Sequence, residues 1–314
     1  MRSNLVLGAT GAVGQFLLPR LIARGESVIG ISRDSSCVDQ AGIEWLHGDL
    51  FGAMPPLPEV DTIYSLGPLD AFADWFARSH EAQAHAPAHT APRRVIALSS
   101  MSAASKQDSI DAFERELAAR LVSAEQRLFA CARERNIACT IFRPTLIYGS
   151  GRDASLAPLA RFARRWRVLP IPRGASGLRQ PVHAADLAAA CLAARDVSTT
   201  FGNTYALGGG ERLRFDAMFA RIARASRALR VPIPLALVRA GARLARGQVG
   251  HGGARLARGR VGVGALTRMT ADLVADNAPA ARDFGYAPRG FVAADVPHGL
   301  LEGDATRAAK KPSV

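Results

Sequence analysis

The feature that most constrains this chain is a glycine-rich turn between a short apolar segment and a helical pattern near its start. The run Asn4–Leu18 reads NLVLGATGAVGQFLL, with glycine at every third position from Gly8 to Gly14. Gly8 lets the chain reverse, Gly11 removes a side chain where a pyrophosphate would approach the backbone, and Gly14 allows close helix–strand packing. The helix amides and dipole would then face the phosphates. The run predicts a dinucleotide site, with a purely structural turn as the alternative.

Apolar segments alternate with helical patterns through the first half of the chain. The predicted strands are Asn4–Leu7, Ser27–Ser32, Thr62–Leu66, Arg94–Ser99 and Cys139–Arg143, and residues 111–135 form a predicted helix. This rhythm predicts the α/β class, with a Rossmann-type doubly wound parallel sheet and a smaller C-terminal substrate lobe. The alternation of predicted strands and helices is lost after Gly151. We therefore expect a dinucleotide-binding domain at 1–151 and a smaller, partly interleaved lobe at 152–314.

Composition narrows the class of protein. The chain has 314 residues, 48% of them apolar, and a net charge of +13 carried almost wholly by arginine. Aromatic residues make up only 6%, whereas nucleic-acid binders interleave basic residues with aromatics, so we expect no nucleic-acid partner. The apolar start lacks the long uninterrupted core of a signal peptide, and no run is long enough to span a membrane. These features predict a cytoplasmic protein.

Two other segments carry residues that could form a site: one contains three histidines and the other is an internal duplication. His80, His85 and His89 have only Glu81 as a nearby carboxylate, which predicts a solvated loop and no metal site. Residues 241–252 are copied in 253–264 with ten of twelve positions identical, typical of a duplicated loop. The overlapping Leu235–Arg246 could form a helix with arginines on one side and leucines on another. This segment could contact a membrane surface or a partner, or it could present a solvated helix face. Both interpretations stay open.

The residues after the second predicted strand bear on the choice of dinucleotide. Ser32 is followed by Arg33, and no acid stands at the end of the strand to accept both ribose hydroxyls. An arginine there favours a 2′-phosphate, so we prefer NADP and keep NAD, with an ordinary loop arginine as the alternative. Asp49 could accept a hydrogen bond from the adenine amino group or serve only its own turn.

The glycine turn and several later motifs resemble the extended or atypical short-chain dehydrogenase/reductase superfamily, in its NAD-dependent epimerase/dehydratase branch. The later motifs are 48–50, Ser99-Ser100, 143–145 with Tyr148-Gly149, 181–188, 205–210 and 269–289. The resemblance spans nearly the whole chain and implies a cofactor at the carboxyl ends of the strands. It also implies a lobe that binds a nucleotide-sugar or similar small molecule. The expected cofactor-binding residues are Gly8, Thr10, Gly11, Ala12, Val13, Gly14, Ser32, Arg33, Asp49, Leu50, Leu66, Gly67, Pro68, Ser99 and Pro144.

The catalytic pattern of that superfamily is altered in this chain. Active members use a tyrosine acid/base, a lysine four residues later that lowers its pKa, and a serine or threonine that binds the reacting oxygen. Anchored on Ala124-Glu125, the tyrosine and lysine positions fall on Leu117 and Leu121, and the hydroxyl position on Met101. No tyrosine of the chain is followed by lysine at the fourth position.

Other protic and charged residues could supply part of a site. Ser100 and Ser102 flank that methionine, and we predict them as the catalytic residues. Arg152, Arg173 and Arg179 flank the expected cleft and could pair with a substrate diphosphate, or lie on the surface. The leading hypothesis is an NAD(P)-binding oxidoreductase/epimerase-like protein acting on a nucleotide-sugar-like molecule. The alternative is a non-catalytic NADP-binding sensor or structural module, and the oligomeric state stays open.

Overall fold

The computed structural model describes residues 2–34, 42–83, 92–153, 155–234 and 269–296. Its helices are α1 (Gly14–Ile22), α2 (Leu69–Gln83), α3 (Ser102–Ser105), α4 (Ala112–Glu134), α5 (Leu156–Trp166), α6 (Ala184–Ala194), α7 (Phe215–Ala225) and α8 (Ala278–Phe284). Its strands are β1 (Ser3–Leu7), β2 (Ser27–Ser32), β3 (Ile43–His47), β4 (Thr62–Ser65), β5 (Arg94–Leu98), β6 (Ala138–Pro144), β7 (Ile147–Tyr148), β8 (Val168–Arg173), β9 (Leu178–Arg179), β10 (Val182–His183), β11 (Thr204–Leu207), β12 (Leu213–Arg214) and β13 (Leu229–Pro234).

The main sheet is parallel, with the strand order β11-β6-β5-β4-β1-β2-β3. The order runs outward in both directions from β1 and β4, so the connections diverge at the carboxyl ends of those two strands. Ligands of open α/β sheets bind at such a switch point. The α/β class and the Rossmann-type sheet are confirmed, and each of the five predicted strands is present within two residues at either end.

Both faces of the main sheet are covered by helices. Along β1, Val6 packs into a core shared with α1, α6 and α8, while Leu5 and Leu7 pack on the opposite side with α2 and α4. Successive strand residues point to opposite faces, so an uninterrupted apolar run is what a strand buried on both faces requires. The helix predicted at 111–135 is α4, which begins after Asp111; the Asp111 carboxylate accepts a hydrogen bond of 3.1 Å from the Phe113 amide.

A third core lies among the later elements. Helices α5 and α7 pack on β8, which pairs in parallel with β13, around Leu156, Leu169 and Ile222. Helix α6 and strand β11 come from the same half of the sequence but belong to the main sheet and its helical layer. The division at residues 151 and 152 therefore stays a prediction.

Some predictions fall outside the described residues. These include the duplication at 241–264, the whole Leu235–Arg246 segment, and the side chains of His80, His85 and His89. Within the described ranges, no helix combines the length and the apolar composition needed to cross a lipid bilayer.

Candidate functional site

The glycine turn lies at the carboxyl end of β1, against the end of β4. Gly8 has φ +77°, a left-handed conformation that favours glycine. A Cβ on Gly8 would lie 3.0 Å from the Gly67 nitrogen, and one on Gly14 would overlap the carbonyl oxygen of Ala9. Gly14 thus lets α1 approach the turn closely. A Cβ on Gly11 would lie 2.9 Å from the Gly8 carbonyl oxygen, so each glycine is required by a close backbone approach.

The turn presents donors suited to an anionic group. The amides of Ala12 and Val13 have no hydrogen-bond acceptor among the described residues, although the Val13 carbonyl accepts from Phe16 and Leu17. Free amides at a helix start, together with the helix dipole, favour phosphate oxygens. A Cβ on Gly67 would meet no atom within 4 Å, so space remains beside the end of β4. These residues fit a dinucleotide pyrophosphate, which α1 and its turn would hold.

Two side chains tie the turn to the loop after β7. Gln15 donates to the carbonyl oxygens of Ala12 at 3.3 Å and Ser150 at 3.2 Å. Arg152 donates to the Thr10 carbonyl oxygen at 2.6 Å. Arg152, considered above for a substrate diphosphate, therefore contacts the turn itself. The sequence gives no signal for this contact, because the two residues are 142 positions apart.

The predicted ribose and adenine residues follow β2 and β3. Ser32 is buried and its hydroxyl accepts from the Asp34 amide at 3.0 Å, whereas Arg33 is exposed. The Asp49 carboxylate accepts from the Phe51 amide at 3.1 Å, the turn role that was its alternative. Leu50 and Leu66 are half-buried at the same edge of the sheet, and Pro68 is exposed there.

An ion pair lies behind the carboxyl ends of β5 and β6. Arg143 donates to both carboxylate oxygens of Glu125, through Nε at 2.9 Å and through Nη2, and the Ser99 hydroxyl also donates to Glu125. The Glu125 hydrogen bond raises the pKa of Arg143 above its ordinary value. The Pro144 carbonyl accepts from the Met101 amide at 3.0 Å. Local sequence gives no signal for this pair, because Glu125 and Arg143 are 18 residues apart.

The two predicted catalytic serines follow β5. The Ser100 hydroxyl accepts from the Ser102 amide at 3.1 Å, and Ser102 begins α3, which packs beside α4. Leu117 and Leu121 are half-buried and lie one turn apart on α4. In the described part of the chain, no histidine, lysine or tyrosine hydrogen-bonds to either serine hydroxyl. A serine nucleophile or proton donor requires such a partner.

All four tyrosines of the chain lie in the described ranges, and each phenol has a structural partner. Tyr148 accepts from the Val292 amide at 3.0 Å, Tyr205 donates to the Asp283 carboxylate at 2.8 Å, and Tyr286 donates to the Gly208 carbonyl oxygen at 2.9 Å. The Tyr64 oxygen lies 3.4 Å from an Arg195 donor. Burial raises the pKa of Tyr148 and Tyr205 to about 12, and burial also raises the pKa of Tyr64 and Tyr286.

His183 is a packing and capping residue where the two halves of the sequence meet. Its Nδ1 accepts from the Ala185 amide at 3.0 Å, which caps α6. Its ring packs edge-on against Phe16 of α1 and against Tyr148. Burial lowers the pKa of His183 below its ordinary value.

Arg179 and Arg173, the other two arginines that could pair with a diphosphate, differ in burial. Arg179 is buried, donates to the carbonyl oxygens of Leu178 at 2.7 Å and Ala271 at 2.8 Å, and lies 5.1 Å above the Phe215 ring. Neither of its alternatives, diphosphate pairing or surface placement, agrees with this position. Arg173 is exposed at the end of β8.

Comparison with solved structures supports the fold. A UDP-glucose 4-epimerase from Thermotoga maritima with UDP-glucose is 15% identical with a TM-score of 0.64, covering 97% of this chain and 99% of that one. A UDP-glucuronic acid 4-epimerase from Bacillus cereus in complex with NAD is 14% identical with a TM-score of 0.66, covering 95% and 96%. At these identities the likeness establishes a common fold, and function has to be argued from the site.

A curated relative has a different role. The mitochondrial NADH dehydrogenase [ubiquinone] 1 alpha subcomplex subunit 9 of Arabidopsis thaliana is 28% identical over an alignment of 263 positions, which covers 76% of this chain. This chain spans 62% of the length of that relative.

The match to a family model extends beyond the glycine turn. It covers residues 4–208, from β1 through β11 and the first residue after it. This range includes every strand of the main sheet and all of the predicted cofactor-binding residues. The chain therefore belongs to the NAD dependent epimerase/dehydratase family.

Proposed function

We propose that this protein binds a nicotinamide dinucleotide at the carboxyl edge of its main sheet and uses it as a structural or sensing ligand. The carrying observation is that every phenol in the chain has a structural partner and a raised pKa. Proton transfer near pH 7 requires the opposite, a phenol whose pKa is lowered by a neighbouring cation. This is the non-catalytic alternative of the sequence analysis.

The dinucleotide part of the proposal is supported by the glycine turn, the free amides of Ala12 and Val13, and the open space at Gly67. NADP is the preferred form, because Arg33 is exposed directly after β2, where a 2′-phosphate would lie. The bound nicotinamide would supply or accept a hydride. Lys106 lies 3.7 Å from the Glu114 carboxylate, and Lys310 and Lys311 are outside the described ranges.

The relative from Arabidopsis supports this reading, because its name describes a subunit of a larger dehydrogenase. In such a subunit, the bound dinucleotide would stabilise the folded chain, and the surfaces of the folded chain would contact the other subunits. We keep association with a larger assembly as part of the proposal, together with a cytoplasmic location.

A second candidate is an oxidoreductase or epimerase acting on a nucleotide sugar. Solved neighbours contain UDP-glucose or UDP-glucuronic acid, and Ser100 and Ser102 lie at the edge of the sheet where the nicotinamide is expected. In this case the substrate would lie between the dinucleotide and the lobe of residues 152–314. One of the two serines would have to orient the reacting oxygen without the usual proton carrier.

Binding and turnover separate the two candidates. Titration with NADPH and NADH, followed by fluorescence and thermal unfolding, should show binding that raises the melting temperature. Gly11→Val should abolish binding, because a Cβ there would lie 2.9 Å from the Gly8 carbonyl oxygen and would displace the turn, whereas Gly290→Ala should bind normally because its Cβ would have only ordinary contacts. Failure of the unaltered protein to bind either dinucleotide would refute both candidates.

A panel of nucleotide sugars then tests for turnover. The first candidate predicts that the protein gives no faster hydride transfer than a mixture of dinucleotide and nucleotide sugar without the protein. Turnover that falls about 100-fold or more in Ser100→Ala/Ser102→Ala, with unchanged dinucleotide affinity, would establish the second candidate instead.

A further inference from the structure

Helix α5 exposes two aromatic side chains on one face. Phe162 and Trp166 are four residues apart, so they share a face, and their ring centroids are 6.4 Å apart. Trp166 is 63% exposed and Phe162 42% exposed. The inward face of the helix carries the buried residues Leu156, Ala157, Ala160 and Ala163. The aromatic pair therefore takes no part in the core of the lobe.

Strand β13 carries two further exposed apolar side chains near this helix. The Leu229 amide donates to the Arg167 carbonyl oxygen at 2.8 Å, so the strand begins beside the end of α5. Leu229 and Val231 are exposed and two residues apart, so they point to the same side of the strand. We call the exposed side chains of residues 161–167 and 227–231 the α5–β13 surface. Several large apolar side chains exposed in one region are typical of an interaction site.

The α5–β13 surface is also strongly basic. It carries the arginines at positions 161, 164, 165, 167, 227 and 230. The sequence has no Asp or Glu between Asp153 and Asp186, or between Asp216 and Asp272. Pairing of β8 with β13 brings these two acid-free stretches side by side. Within the described ranges, none of the six arginines forms an ion pair with a carboxylate, so the positive charge faces outward.

We propose that the α5–β13 surface binds the anionic headgroups of a lipid bilayer. Exposed arginines pair with lipid phosphates, while Trp and Phe rings and aliphatic side chains enter the boundary between headgroups and acyl chains. Arg165 already lies over the Trp166 ring, 5.5 Å from its centroid, so charge and aromatic surface are presented together. A nucleic acid would use the arginines and could stack on the rings, but exposed Leu229 and Val231 have no counterpart on a phosphate backbone.

Vesicle binding tests the proposal directly. The full-length protein should float with phosphatidylcholine vesicles containing phosphatidylglycerol, should not float with phosphatidylcholine alone, and should dissociate as salt is raised. Arg164→Glu/Arg165→Glu should weaken binding at least about ten-fold. The control Arg120→Glu/Arg133→Glu has the same net charge but alters exposed residues of α4, and it should change binding less than about two-fold.

Tryptophan fluorescence gives a second readout. Trp166 is the strongly exposed tryptophan, whereas Trp45 and Trp75 are half-buried. Anionic vesicles should shift the emission to shorter wavelength, and Trp166→Phe should remove the shift while retaining the fold. Absence of vesicle binding, or equal weakening by both charge-reversal pairs, would overturn the proposal. So would tight binding to duplex DNA by a protein that ignores vesicles.

Discussion

The two ends of the strands in the main sheet use polar groups in opposite ways. We call the side of the sheet where the strands begin the amino edge and the side where they end the carboxyl edge. At the amino edge, Arg195 donates to both oxygens of Glu26 at 2.6 and 2.9 Å, and Asn4 donates to the same carboxylate at 3.0 Å. At the carboxyl edge, the amides of Ala12 and Val13 have no acceptor among the described residues. The first edge satisfies its charges internally, whereas the second leaves donors available to a ligand.

Arg94 is a further buried charge at the amino edge. Its guanidinium is buried and donates to the carbonyl oxygens of Val95, Ala138, Ala194 and Arg195 and to the hydroxyls of Thr140 and Thr200. Burial lowers the pKa of Arg94 to about 10, so it remains charged at neutral pH. An arginine held this way adds cohesion between β5, β6 and the chain after α6.

The largest expected effect is on stability at the amino edge. Arg195→Leu would leave Glu26 buried without its cation, and we expect the free energy of unfolding in urea to fall by about 3–5 kcal/mol. Arg127→Leu is the matched control, because Arg127 pairs with Asp74 at 2.9 Å on the surface and should cost at most about 1 kcal/mol. Similar losses in the two variants would contradict the assigned role of the amino edge.

The next effect is on binding at the carboxyl edge. Gly67→Val adds a side chain where the protein has no atom within 4 Å of the new Cβ, so the free energy of unfolding should change by less than about 0.5 kcal/mol. Dinucleotide affinity, measured by fluorescence titration, should fall about 100-fold because the side chain enters the proposed ligand space. Gly290→Ala serves as the control for both quantities. Unchanged affinity in Gly67→Val would place the ligand elsewhere.

A smaller effect distinguishes the two dinucleotides. Arg33→Ala should weaken NADPH binding about ten-fold and leave NADH binding almost unchanged, because only NADPH carries the 2′-phosphate. Arg24→Ala, an exposed arginine in the turn before β2, provides the control and should affect neither. An equal effect of Arg33→Ala on both dinucleotides would reject the preference for NADP.

The smallest effect is on the free energy of unfolding at acidic pH. Burial alone would raise the pKa of Glu26, but hydrogen bonds from Arg195 and Asn4 outweigh it, and the net pKa lies below its ordinary value of 4.5. A carboxylate with a lowered folded-state pKa contributes stability above its unfolded pKa and loses it as the pH falls. The free energy of unfolding should therefore decline below pH 4.5. Glu26→Gln should show a shallower decline, and an identical slope would mean that other carboxylates control acid unfolding.

The sequence predicted most of the fold because the inner strands are buried on both faces and read as apolar runs. It missed β3 and β11, the two edge strands of the sheet. In β3, Glu44 and His47 are exposed and Trp45 is half-buried, which breaks the apolar pattern. Strand β11 has only four residues, and its first is exposed. Edge strands are half solvated, so local hydrophobicity identifies them poorly.

The sequence by itself determined the glycine turn and the lack of a tyrosine with a lysine four residues later, because both depend on local spacing. Only the tertiary structure decided what each arginine does. Arg152 contacts the glycine turn, Arg179 is buried against Phe215, and Arg195 pairs with Glu26. The partners of Arg152 and Arg195 lie more than one hundred residues away, and the residue type is the same in every case. The charge of an arginine is fixed by its chemistry, but the groups that neutralise it are chosen by long-range packing.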